Sequence, residues 1–142
     1  LTIAGEGESR SYLEKLTRKM GLRSVVKFLG GVSEKTKVEL FAKSWALVQP
    51  SKIEGWGITI IEANAAGTTV IASDVPGLRD SVQNPHTGLL VTWDNQEKWI
   101  DAITKVLKDR KFRGFLEENS RKWVTEFSWD KSSNKLMKLF KD

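Results

Sequence analysis

Short apolar runs alternate with longer amphipathic stretches along this chain. The runs 1–4, 25–29, 45–49, 69–72 and 88–91 are rich in Val, Ile and Leu. They read as strands buried on both faces. Between them lie stretches with helical spacing. Residues 9–20 bring Leu13, Leu16 and Met20 onto one face, with Gly21 as a C-cap. Residues 33–43 open with Ser33 as an N-cap and present Val38, Phe41 and Ala42. A third helix is predicted over 57–66, stopped by Gly67. Asp94 opens a fourth, with Glu97 three residues on at capping-box spacing, and Trp99, Ile103 and Leu107 line its apolar face. From 110 to the end the pattern gives one or two further helices carrying Phe115, Trp123, Trp129, Leu136 and Phe140.

Strands alternating with helices of this length predict βαβ units. The expected fold is α/β, a Rossmann-like parallel sheet with helices on both faces, in a single domain over 1–142. Ligands of such sheets bind beyond the carboxyl ends of the strands. The loops that matter are therefore 5–9, 30–33, 50–58, 73–78 and the stretch after Val91.

Composition removes several classes of chemistry. Apolar residues make up 39% and charged residues 29%, which is enough apolar surface for a core and argues against disorder. No apolar run approaches the roughly 18–20 residues that a membrane span needs. There is no Cys and a single His, His86, so disulfides, thiol catalysis and a zinc site are excluded. The absence of Cys fits a reducing, cytoplasmic compartment. The chain begins without Met and opens directly on a strand, as expected of a piece of a larger protein. Net charge is +5, yet the Lys and Arg residues are spread at solvated helix spacing, not gathered into one patch.

One segment carries chemistry, Pro50-Ser51-Lys52-Ile53-Glu54-Gly55-Trp56-Gly57-Ile58-Thr59-Ile60-Ile61-Glu62-Ala63. It leaves a strand and enters a helix. Gly55 and Gly57 flank Trp56 at the helix entry, where glycine permits unusual φ values and close backbone approach. A helix start offers unpaired N–H groups and the positive end of the dipole, which suits a phosphate. A tight turn feeding a helix would by itself explain the glycines. The glutamates are harder to explain as packing. Glu54 sits in the loop, where a carboxylate can project over a ligand. Glu62 lies more than a turn into the helix among Ile58, Ile60, Ile61, Ala63, Ala65 and Ala66, so it is either on an outer face or held by a partner. An ionised Glu accepts hydrogen bonds bidentately, which matches the paired hydroxyls of a ribose.

Two glutamates separated by seven residues, as Glu-Gly-aromatic-Gly…Glu-Ala, resemble the E-x7-E signature of the retaining family-four, or group 1, glycosyltransferases. The resemblance runs along the whole chain. Ile3-Ala4-Gly5-Glu6-Gly7 is similar to the family's second strand and glycine turn, and Phe28-Leu29-Gly30-Gly31-Val32 to its Phe-Leu-Gly strand end. Gly67-Thr68-Thr69-Val70-Ile71-Ala72-Ser73-Asp74, Thr87-Gly88-Leu89-Leu90-Val91 and Phe127-Ser128-Trp129 match further family segments.

The resemblance implies the C-terminal half of a GT-B fold and the binding of a nucleotide-sugar donor. Glu54 would contact the donor sugar and Glu62 the ribose. Gly55, Trp56, Gly57 and Ile58 would meet sugar and diphosphate. Gly30, Gly31 and Val32 would line the base pocket, Gly5 and Gly7 would let the chain pass close to the donor, and Ser51 and Lys37 are further candidates. It implies a hexosyltransferase with no cofactor. No Asp-x-Asp motif occurs, so no metal is expected at the diphosphate. A glycan or lipid acceptor would be held by an N-terminal domain outside this chain, and the family's first C-domain strand, with its diphosphate-binding Arg and Lys, would precede Leu1. An isolated copy is then expected to be inactive. Lipid-linked acceptors and basic charge together imply peripheral association with the inner membrane surface. The sequence departs from the family pattern at Thr69, where a Pro is usual, at His86, where an acidic residue is usual, and at Trp56, where Phe is commoner.

Two other readings compete. One is a GT-B-like nucleotide-sugar epimerase, against which the Glu-Gly-Trp-Gly…Glu-Ala pattern speaks. The other is a non-catalytic α/β binding module. With no aromatic-basic cluster, a nucleic-acid partner is not expected.

Overall fold

The computed structural model describes residues 1–140. Its contacts gather into two units, Leu1–Lys37 and the chain from Val38 onward. The first holds β1 (Thr2–Ala4), α1 (Arg10–Lys19) and β2 (Lys27–Gly30). The boundary falls inside α2 (Glu34–Lys43). The second continues with β3 (Ala46–Gln49), α3 (Ile58–Ala65), β4 (Thr69–Ser73), α4 (Pro76–Ser81), β5 (Gly88–Val91), α5 (Gln96–Lys108), α6 (Arg110–Val124) and α7 (Trp129–Leu139).

All described strand pairs are parallel, as the alternation predicts. They form two sheets, β1-β2 and β3-β4-β5. Hydrophobic spacing shows where strands lie but not which of them pair, so this division was not legible in the sequence. The second strand starts at Lys27 rather than Val25, because the Val25 and Val26 N–H groups both turn back to the Leu22 carbonyl.

In the second unit β4 lies between β3 and β5 with all five residues buried. Alternate residues point to opposite faces of a strand. Val70 and Ala72 join Phe41, Ile60, Ala63, Leu78 and Val82 in one apolar cluster. Ile71 joins Val91, Val106 and Leu116 in the other. Helix α3 thus covers one face of this sheet, and α5 and α6 the other.

Local sequence explains the helix ends. Gly21 and Gly67 each adopt positive φ after a helix. Their N–H groups bond to the Arg18 and Asn64 carbonyls, and the next N–H groups, of Leu22 and Thr68, bond to Thr17 and Ala63. Both are Schellman closures. Ser33 caps α2 as expected, its Oγ accepting from Thr36 N at 3.2 Å.

Three expectations are corrected. The predicted loop 73–78 contains the start of α4, where Pro76 presets the first helical φ. The cap of α5 is Asn95, whose Oδ1 accepts from Lys98 N at 3.0 Å, and not Asp94. Trp45, the first residue of the run 45–49 read as a buried strand, is 59% exposed, because it precedes the first residue of β3; the Arg113 guanidinium lies over its ring at 4.6 Å. Trp99 and Trp123 are half-buried, as packing predicts.

Candidate functional site

The segment singled out by sequence leaves the carboxyl end of β3 and enters α3. Gly57 is the N-cap of α3 and sits in the left-handed region at φ 78°. A Cβ there would stand 2.6 Å from Leu78 Cδ2, so conformation and packing both require glycine. Glycine supplies no side-chain cap, and the first turn of α3 holds no acidic residue. The positive end of the helix dipole is therefore not offset by the helix's own side chains. Ile58, at this mouth, is 66% exposed although large and apolar.

Glu54 is half-buried and folded over its own loop. Its Oε1 accepts from Gly55 N at 3.2 Å, and its Oε2 lies 3.4 Å from Ser51 Oγ and 3.5 Å from Gln49 Nε2. Gln49 Nε2 in turn donates to Ser51 Oγ at 2.8 Å. Glu62 is half-buried on α3, beside the fully buried Ala63 and Asn64. It therefore does not lie on a fully solvated outer face.

Neighbouring loops at the carboxyl ends of β4 and β5 fix this segment. A Cβ on Gly77, in α4, would collide with the carbonyl oxygens of Glu54 and Gly55. Lys52 Nζ lies over the Trp93 ring at 5.0 Å. The Trp56 ring packs edge-on against Phe127, with centroids 4.9 Å apart. Phe127 packs the same way on Trp123, whose Nε1 donates to the Ser81 carbonyl at 3.1 Å. Sequence reasoning missed Gly77, Gln49 and Phe127 as supports of this loop. The Pro-Gly pair after Ser73-Asp74 was the one available signal for Gly77.

The first unit holds the remaining candidates. Gly5 and Gly30 both have positive φ, at 124° and 72°, and Gly5 N donates to Gly30 O at 2.7 Å. Gly31 N donates to Glu6 Oε1 at 3.0 Å. The Gly7 carbonyl accepts from Arg10 N, opening α1. Val32 is half-buried. Lys37 pairs with Glu34 at 2.9 Å across one turn of α2. The structure thus brings Ser51, Glu54, Gly55, Trp56, Gly57 and Ile58 together in one loop. It brings Gly5, Gly7, Gly30, Gly31 and Val32 together in the turns after β1 and β2.

The profile of the family described as "Glycosyl transferases group 1" matches residues 1–123. The chain belongs to the group 1 glycosyl transferases. Among its relatives, an uncharacterized glycosyltransferase of Methanocaldococcus jannaschii is 37% identical over 142 residues, covering 99% of this chain and 36% of that protein. A D-inositol 3-phosphate glycosyltransferase of Corynebacterium urealyticum is 29% identical, over 97% of this chain and 33% of that protein. The solved structure of sucrose-phosphate synthase from Thermosynechococcus elongatus superposes with a TM-score of 0.88 at 30% identity, over 99% of this chain and 37% of that one. The group 1 chain described here therefore spans about a third of the length of these relatives. Its α/β architecture is that of GT-B glycosyltransferases.

Among the described residues of this glycosyl transferase chain, no group of three His, Cys, Asp or Glu side chains could hold a metal ion. No described helix is long and apolar enough to cross a membrane. His86 is exposed beside the Phe115 ring.

Proposed function

We propose that this chain binds the nucleotide-sugar donor of a retaining glycosyltransferase of the hexosyltransferase type. The observation that carries the reading is the start of α3, an uncapped helix N-terminus with a left-handed glycine, a carboxylate folded beside it, and exposed backbone at Gly55. Gly57 and Gly77 are glycines because neighbouring atoms leave no room for a Cβ. Gly55 has no such neighbour, as nothing lies within 4 Å of a Cβ built there. Its open side is where a diphosphate or sugar would approach.

The chemistry follows from charge. Breaking the anomeric C–O bond leaves positive character on the sugar and negative charge on the departing diphosphate. Fixed N–H dipoles at the start of α3 favour that diphosphate without reorganising. Glu54, held by Gly55 N and Ser51, would orient sugar hydroxyls and stabilise the developing positive charge. Glu62 would accept from the ribose hydroxyls. In the first unit the same reading gives the base to Gly30, Gly31 and Val32, and gives Gly5 and Gly7 to close backbone approach. The bond from sugar to diphosphate would be exchanged for one to a hydroxyl of a glycan or lipid acceptor, held by parts of the protein beyond this chain. Docking at the inner membrane surface belongs to that wider proposal.

The test is a titration of the chain with UDP, GDP, ADP and their sugar conjugates, read by NMR chemical shifts. Selective shifts over 55–62, lost in Glu62→Ala and weakened in Glu54→Ala, are expected. No shift at millimolar nucleotide, in this chain and in the full-length protein alike, would overturn the reading.

A further inference from the structure

Glu6 has no role in the reading above, yet its carboxylate joins the two glycine turns of the first unit. Its Oε1 accepts from Gly31 N at 3.0 Å and from Arg10 Nη1 at 3.1 Å. Arg10 is held on its other side by Glu14, with Nε to Oε1 at 3.0 Å. The pKa of the guanidinium is raised above its usual range, first by the hydrogen bond it donates to Glu14 and then by the charge of Glu6. Gly30 closes the arrangement. It lies at φ 72°, and a Cβ on it would collide with Glu6 Oε1 and stand 2.7 Å from Arg10 Nη1. Gly5 N adds a second link, to Gly30 O.

The geometry has a plain physical reading. The turn at 30–32 follows a short edge strand, and glycines at 30 and 31 give its backbone wide freedom. An N–H held by a carboxylate makes a charge-assisted bond, stronger than a neutral one. Arg10 is the first residue of α1, so the pair ties the turn to a helix as well as to β1. Glu6 is 66% exposed, so a solely structural role in a core is not available to it.

We infer that Glu6, braced by Arg10, is a positioning residue for the base of the nucleotide. It fixes the Gly30–Gly31–Val32 backbone before the base arrives, and this role rests on the donor-binding reading. Rigidity in the bound shape lowers the cost of ordering on binding. The Gly31 N–H is already engaged by Glu6, so recognition of the base falls to the other backbone groups of the turn.

The test compares the wild-type chain with Glu6→Gln and Glu6→Ala. Each is titrated with whichever of UDP, GDP and ADP the wild type binds most tightly, and with inorganic pyrophosphate, which has no base. Amide exchange at Gly31 is followed in parallel. For Glu6→Ala, about tenfold weaker nucleotide binding is expected, with unchanged pyrophosphate binding and faster Gly31 exchange. Glu6→Gln keeps an acceptor oxygen for Gly31 N and should stay within about threefold of wild type. Equal nucleotide affinity in wild type and Glu6→Ala would overturn the positioning role and leave the donor reading standing. An equal loss of pyrophosphate and nucleotide binding would also overturn it, because the damage would not concern the base. A wild type that binds neither probe, in this chain and in the full-length protein alike, would instead overturn the donor reading, and the role of Glu6 with it.

Discussion

Residues 1–37 and the chain from Val38 onward both contain parallel strands joined by a helix, but only the second carries a core. In the first unit β1 and β2 have one neighbour each, and Gly30 is the one buried residue among their seven. Helix α1 has no buried residue despite its amphipathic pattern. In the second unit β4 has neighbours on both sides and apolar clusters on both faces. A βαβ crossover is therefore a connection rule and not a stability guarantee. What stabilises the second unit is burial on both faces of a middle strand, worth about 1.5–3 kcal/mol for each fully buried Val, Leu or Ile side chain.

The strongest way to break the comparison is to separate the units. Chains below about 40 residues seldom fold without disulfides or metals, and this sequence has no Cys. The peptide 1–37 should be largely unfolded by circular dichroism, while 38–142 should keep a cooperative urea transition. A cooperative transition in the short peptide would sink the contrast. Next in size is Leu116→Ala, which empties a fully buried site in the cluster on the α5–α6 side. It should cost about 3 kcal/mol in urea unfolding of the whole chain. A loss under about 1 kcal/mol would mean that the site collapses and that this core is looser than its burial implies.

How much of this contrast was legible depends on what spacing can carry. The strand positions were legible because β4 and its neighbours are uninterrupted apolar runs. The Ser33 cap and the Gly21 and Gly67 closures were legible because each rests on a local residue type. The turn from β3 into α3 was legible because Glu54, Gly55, Gly57 and Glu62 lie within one short stretch of sequence. The division into two sheets was not, since pairing is a long-range property. The bracing of the loop by Gly77 and Phe127 was hidden for the same reason, as each lies more than 20 residues from the Glu54 it supports or the Trp56 it touches. Trp45 misled because the apolar run 45–49 begins one residue before the strand does.

Glycines sharpen the comparison further, because the two units use them differently. Gly77 faces backbone carbonyls of Glu54 and Gly55, which cannot step aside without moving the loop. Gly77→Ala should cost about 2–3 kcal/mol and shift the 54–58 amide resonances. Gly30 faces the flexible ends of Glu6 and Arg10, so its substitution meets the left-handed φ more than a wall. Gly30→Ala should cost only about 1 kcal/mol, with changes confined to the first unit. Equal costs would remove the distinction between a rigid loop support and an adjustable turn.

The smallest effect separates the units by their charges. In the first, the pKa of Arg10 is raised by Glu14 and Glu6 above its already high ordinary value. A group raised in the folded state stabilises fully below its unfolded pKa and loses that contribution only as pH climbs through the folded one. That window lies far into strong alkali, so titration of Arg10 contributes no pH dependence in ordinary buffers. In the second unit, Glu118 is lowered, first by its hydrogen bond from Lys122 at 2.7 Å and then by that residue's charge. The sign is opposite. The contribution is complete above the ordinary carboxylate value of 4.5 and is lost as pH falls through the lowered folded value. The pair is exposed, runs Glu to Lys across one turn of α6, and is screened by salt. Wild type and Glu118→Gln should therefore differ by a barely resolvable melting shift at pH 7 and low salt. That difference should vanish once the pH is below the lowered value, and also at 1 M salt. A difference that persisted in acid would assign the effect to helix propensity rather than to the ion pair, and would leave burial as the sole distinction between the two units.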